Sequence, residues 1–320
     1  MLPPISPDDL ATLIDEAAIA ARRLHRKLML PAADLDDLIA QAKTGSGKTA
    51  AFGLALLALG SDTFEAVRAY KDAFDQAIQF DDLPTALGNE YRNRINVMRK
   101  GLPSTDWIPP VLAWYRKFKA EKLLNLIECI DNKFSADWIL QLTPTQRISN
   151  MNDVLKAIDG AKVPADVLDS KVFEFDGKQL AVLLDGAIYG RRFAKYVLLR
   201  LEYLLASHAA PLNLPDEISV EHILPQTPSA TSQWVKDFTE EQRECWLHRL
   251  GNLMLLSRRK NTSLGNLDYA DKRVRYFEDR VESLPNSQRL LATTAFALPD
   301  LENRHKDLLD RLANSYGAKQ

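Results

Sequence analysis

The strongest constraint on the fold is how little of the chain reads as strand. Residues 218–224 (Ile-Ser-Val-Glu-His-Ile-Leu) alternate apolar and polar side chains as a short strand does, and residues 250–256 (Leu-Gly-Asn-Leu-Met-Leu-Leu) form a second strand-like run. Elsewhere apolar residues recur at helical spacing. Ser6-Pro7-Asp8-Asp9 opens a predicted helix over 6–32, with Leu10, Leu13, Ile14 and Ala17 following at that spacing. Phe64, Val67, Phe74 and Ile78 mark another from residue 61, and further helices are predicted around 85–100, 110–132, 135–142 and 147–159. The run 191–206 is amphipathic, basic at its start and apolar in its middle, and Tyr269 opens a last predicted helix to residue 284. The expected fold is mainly α, a helical body carrying one strand–loop–strand–helix insert. Three segments are expected: an atypical N-terminal piece (1–60), a helical domain (61–210) and a C-terminal domain containing the insert (211–320).

Composition narrows the function classes. Forty-one Lys plus Arg against 43 Asp plus Glu give a formal charge of −2, so any nucleic-acid surface must be a local patch. Such a patch lies between Arg249 and Arg280, where eight basic side chains face four acidic ones. Two cysteines, Cys129 and Cys245, form no CxxC and no disulfide framework, which fits a reducing cytoplasm. The longest apolar stretch, residues 50–59, is about half a bilayer span, and Met-Leu-Pro-Pro at the start has no signal-peptide character. A soluble cytoplasmic protein with no membrane partner is the expectation.

The insert is where chemistry concentrates. Hydrolysing a phosphodiester takes a general base for water, a cation for the developing charge, and hard oxygen ligands for that cation. Glu221 and His222 are adjacent in a strand, so their side chains leave on opposite faces. Asn252 follows 30 residues after His222, and Asn261 another 9 residues on, in a polar turn ahead of a helix. One asparagine can pin the histidine-bearing loop and the other can complete a metal site.

The strings Ser219-Val-Glu-His-Ile-Leu-Pro-Gln226, Trp246-Leu-His-Arg-Leu-Gly-Asn-Leu-Met-Leu-Leu256 and Asn261-Thr-Ser-Leu-Gly-Asn266, with Lys272 and Tyr276-Phe277, resemble the HNH nuclease domain of GmrSD-type, modification-dependent restriction endonucleases. Residues 60–210 resemble the region before that domain, best at Trp107-Ile-Pro-Pro-Val-Leu112 and at the run 191–202. The resemblance implies a ββα-metal (HNH) unit with His222 as general base. It implies Glu221 and Asn261 as ligands of Mg²⁺ (or Mn²⁺), and Asn252 as the residue that orients His222. His248, Lys272 and Arg259 become candidate phosphate contacts. The implied partners are DNA, including modified DNA, and a separate NTPase subunit.

A second motif points elsewhere. Ala42-Lys-Thr-Gly-Ser-Gly-Lys-Thr49 satisfies the Walker A pattern, in which backbone amides around Gly45 and Gly47 cradle phosphates, Lys48 reaches the terminal ones and Thr49 ligates Mg²⁺. Residues 37–56 resemble the phosphate loop of DEAD-box RNA helicases, and residues 7–37 a helical piece of bacterial sigma factors. No Asp-Glu-Ala-Asp or His-Arg-x-Gly-Arg follows, and no parallel sheet is visible to mount the loop. ATP or GTP binding is therefore an alternative to the nuclease reading, as is a nucleic-acid-binding protein without catalysis.

Overall fold

Helix starts in this chain are written in its caps. Thr143 Oγ1 accepts the Gln146 N–H at 3.3 Å while Gln146 Oε1 accepts the Thr143 N–H at 2.9 Å, and Thr239 with Gln242 repeats the reciprocal pair. Asp176 accepts the Gln179 N–H at 2.9 Å, starting a helix at Gly177. The computed structural model describes residues 61–257, 265–277 and 284–317. The predicted helix 6–32 and the Walker A-like loop lie outside the described residues.

The chain divides into two units, residues 1–75 and 76–320. Of the first, only part of α1 (Ser61–Ala77) is described. In the second, α2 (Gly88–Gly101), α3 (Ile108–Phe118), α4 (Leu123–Ile139), α5 (Pro144–Gly160), α6 (Pro164–Leu168), α7 (Gly177–Asp185) and α8 (Ala194–Leu205) come first. Strand β1 (Ile218–His222), short helices α9 (Gln233–Asp237) and α10 (Glu240–Trp246), and strand β2 (Leu253–Ser257) follow. Helices α11 (Tyr269–Phe277), α12 (Pro285–Gln288) and α13 (Leu298–Ser315) complete it. The protein is mainly helical, and among the described residues its one sheet is the antiparallel pair β1–β2.

Helix boundaries differ from the sequence expectation: α4 (Leu123–Ile139) runs through the expected break between 132 and 135, and α6, α7, α9 and α10 were not expected. The stretch predicted as one helix over 110–132 is two, because Lys119 and Lys122 take left-handed backbone (φ 54° and 51°) and close the turn between α3 and α4. Nothing in two lysines signals that turn. Helix α8 begins at Ala194, since Arg191–Phe193 is spent on a turn in which the Arg191 N–H donates to Ile188 O and the Ala194 N–H to Arg191 O, each at 3.0 Å.

A buried ionic centre explains the charged residues inside the body. The Asp131 carboxylate on α4 accepts from Arg94 on α2 at 3.2 Å, from Arg200 on α8 at 3.0 Å, and from the Tyr196 hydroxyl. The Arg200 guanidinium lies 4.0 Å from the centroid of the Tyr316 ring beyond α13. Two residues on, buried Glu202 accepts the backbone N–H of Asn286 at 2.7 Å. The apolar runs of α8 thus carry polar groups that each find partners in sequence-distant elements.

Strand β2 is apolar at successive positions because both of its faces are covered. Leu253 and Leu255 pack with Val97, Tyr196, Leu199, Leu201 and Leu308 in one core, whereas Met254 and Leu256 pack with Ile223, Trp234, Tyr276 and Leu301 in another. The first core is shared between the helices before residue 210 and the hairpin after it.

Candidate active site

In the hairpin register, Glu221 lies opposite Met254 and His222 opposite Leu253. Cross-strand partners share a face, so Glu221 belongs to the side of Met254 and α11, and His222 to the side of Leu253 and the helical body. The acid and the imidazole do leave on opposite faces.

Asn252 is wholly buried and makes three side-chain hydrogen bonds, two of them to the histidine-bearing loop. Its Oδ1 accepts the Leu224 N–H at 2.7 Å, and its Nδ2 donates to Leu224 O at 3.0 Å and to Leu247 O at 2.9 Å. Its own carbonyl accepts the Ile223 N–H at 2.9 Å. One carboxamide therefore staples the chain just after His222 to the end of α10 and the start of β2.

His222 Nε2 lies 3.3 Å from His248 Nδ1, and its Nδ1 lies 3.3 Å from Nε2 of exposed Gln226. With the amide placed so, Nδ1 accepts from Gln226 and Nε2–H donates to His248, which fixes the neutral tautomer. Burial pushes the His222 pKa down to about 4, with neighbouring His248 and Lys272 pushing the same way. The imidazole is neutral at pH 7.

On the other face, Lys272 of α11 sends its Nζ to Glu221 Oε1 and to the His222 carbonyl, each at 2.7 Å. Lys272 is 1% exposed and Glu221 6% exposed. Burial pushes the Glu221 carboxyl up and the Lys272 amine down, and each partner's charge opposes the other's shift. Lys272, expected as a phosphate contact, is thus an internal ion-pair partner of the expected metal ligand. Asn261 and Arg259 lie outside the described residues, as do Gly45, Gly47, Lys48 and Thr49.

The pin itself is braced from α13. The Gly251 N–H donates to His305 Nδ1 at 3.0 Å, His305 Nε2 donates to Asp185 Oδ1 at 2.8 Å, and Arg304 Nε donates to Gly251 O at 3.1 Å. A Cβ on Gly251 would stand 2.6 Å from His305 Cβ and 2.8 Å from Leu301 O, which is why glycine precedes Asn252. A second group that motif reading missed is Tyr189, on the turn before α8, whose ring stacks on His248 at 5.2 Å and 10°. Its Tyr-Gly-Arg-Arg context was the available signal, but no spacing ties it to residues beyond 218.

As to a cation, two hard oxygens, Glu221 Oε1 and the His222 carbonyl, converge on one positive charge, the Lys272 ammonium. Both oxygens are thus already paired with the buried Lys272 ammonium, and a hard cation at Glu221 would have to use the second carboxylate oxygen or displace that amine. Among the described residues no three His, Cys, Asp or Glu side chains gather into a metal cluster, and no helix is long and apolar enough to cross a membrane.

The hairpin thus presents an acid and a neutral imidazole on opposite faces, with a buried carboxamide stapling the loop that follows them. Residues 181–311 match the family model of the C-terminal domain of GmrSD restriction endonucleases, so this segment is similar to that domain. The match takes in the Tyr189 turn, both strands and most of α13. No curated protein and no solved structure matches the chain.

Proposed function

We propose that this domain hydrolyses DNA phosphodiester bonds as an HNH-type, metal-dependent endonuclease of the restriction or phage-defence kind, with β1, β2 and α11 as its ββα unit. The observation that carries the reading is the Asn252 staple. It fixes the loop after an imidazole that is uncharged at neutral pH and has an exposed amide, Gln226, on one ring nitrogen. Exchange of that amide for water puts the nucleophile on Nδ1. His222 then takes the water's proton as the new P–O bond forms and the bond to the leaving oxygen breaks. Glu221 and Asn261 would hold Mg²⁺ or Mn²⁺, which when bound supplies Lewis-acid charge stabilisation at the phosphate. Lys272 keeps the Glu221 carboxylate and the His222 backbone in one orientation. His248 limits rotation of the His222 ring, and Arg259 with the basic stretch around it attracts the DNA backbone.

Supercoiled plasmid and modified phage DNA, incubated with Mg²⁺ or Mn²⁺, test the proposal against His222→Ala. Nicking by the wild type, lost in the variant and on chelation with EDTA, is the expected result. Equal nicking by both proteins overturns it.

A further inference from the structure

We propose that Tyr189 is a positioning residue for the His222 imidazole, contributed to the hairpin site by the turn that joins α7 to α8. The inference rests on the nuclease reading and deepens it.

Three rings meet at this point. Tyr189 stands edge-on to His222 with centroids 4.1 Å apart and planes at 60°, and lies flat on His248. His222 and His248 are themselves 5.4 Å apart at 65°. A ring 4.1 Å away fills the space into which the His222 imidazole would turn, so Tyr189 and His248 together restrict it to one rotamer.

The turn that carries Tyr189 is tied to His248 by main chain. The N–H groups of Ile188 and Tyr189 both donate to the His248 carbonyl, at 2.9 and 3.2 Å. Ala187 pairs with Arg249 as an isolated antiparallel bridge, and Arg249 returns two bonds to Asp185, Nε to its carbonyl at 2.9 Å and Nη2 to Oδ1 at 2.6 Å. Ile188 is fully buried and anchors the turn, while Gly190 reverses the chain at φ 78°.

Tyr189 itself is 38% exposed. It fills no core, and its ring contacts are to the two imidazoles. An exposed aromatic whose turn is held by two main-chain bonds to His248, against a candidate base, is placed for orientation rather than for stability. Misplacement of a reacting group by about 1 Å costs on the order of 10²-fold in rate, which sets the scale of the expected effect.

The test combines kinetics on plasmid DNA with NMR of the histidine rings in the full chain. For Tyr189→Ala the expected result is a roughly 10- to 100-fold lower kcat at little-changed KM. Tyr189→Phe restores kcat, because the ring and not the hydroxyl does the positioning. The His222 and His248 ring protons, assigned through His222→Gln and His248→Gln, lose their ring-current displacement in Tyr189→Ala and keep it in Tyr189→Phe. Unmoved ring protons overturn the proposal. So does a raised KM at wild-type kcat, which would make Tyr189 a DNA contact, or a Tyr189→Phe variant as impaired as the alanine. If wild type itself fails to nick, the nuclease reading falls, and the ring-proton arm still reports whether Tyr189 holds His222.

Discussion

Replacing Asn252 by alanine removes three hydrogen bonds at once, and the structure says what that strands. Leu224 is fully buried and loses the partner of its N–H and one partner of its C=O, and Leu247 O loses a third bond. At the low end of the roughly 1–3 kcal/mol expected for each stranded buried group, since each carbonyl keeps a second lone pair, the three sum to about 3–5 kcal/mol. For a unit of this size each kcal/mol is worth about 2–4 °C, so Tm falls by roughly 10 °C. Asn252→Asp is the sharper probe. At pH 7.5 its carboxylate still accepts from Leu224 N–H but faces two carbonyl oxygens where the amide donated, and the variant is at least as unstable as the alanine. Protonation returns one donor, so the deficit relative to wild type shrinks as pH falls towards 5. Urea unfolding followed by tryptophan fluorescence reads both variants. An alanine variant within about 1 kcal/mol of wild type, or an aspartate variant without pH dependence, refutes the staple.

Other expectations follow the same logic. Gly251→Ala drives a methyl into His305 and the Leu301 carbonyl, so α13 must shift, at a cost of about 3 kcal/mol visible in a thermal melt; a neutral result would mean that α13 yields freely. Lys272→Met strands the Glu221 carboxylate in a buried site and costs about 3–5 kcal/mol, while Glu221→Gln in the same chain recovers most of it. His222 has a folded pKa of about 4 against 6.5 in the unfolded chain, so the unfolded state takes up its proton first. Its contribution is complete above pH 6.5 and is lost as pH falls to 4, by up to about 3 kcal/mol. The difference between wild type and His222→Gln in urea titrations at pH 7.5 and 5 isolates that part, and an equal difference at both pH values contradicts it.

How much of this was legible in the sequence depends on the range of the contact. The strand alternation at 218–222 and the opposite faces of Glu221 and His222 are local, and both follow from a two-residue period. Asn252 as pin was legible from its place in the motif string. Lys272 was not, because a lysine on an amphipathic helix reads as solvated, and its burial depends on how α11 seats against β1, 50 residues upstream. Tyr189 was invisible for the same reason: its approach to His222 is made by backbone pairing between residues 187 and 249, which leaves no mark on side-chain pattern. The break between α3 and α4 escaped notice since two lysines adopt a conformation for which glycine or asparagine is the usual sign.

Gly251 hands its amide to His305 and its carbonyl to Arg304, more than fifty residues further along the chain. During synthesis the hairpin is therefore made well before the segment that locks it, and β2 waits with one side unsupported until residues 298–315 have left the ribosome. A half-made polypeptide holds the ingredients of the centre without its rigidity, and the hairpin takes its final geometry only once the segment carrying Arg304 and His305 has been made.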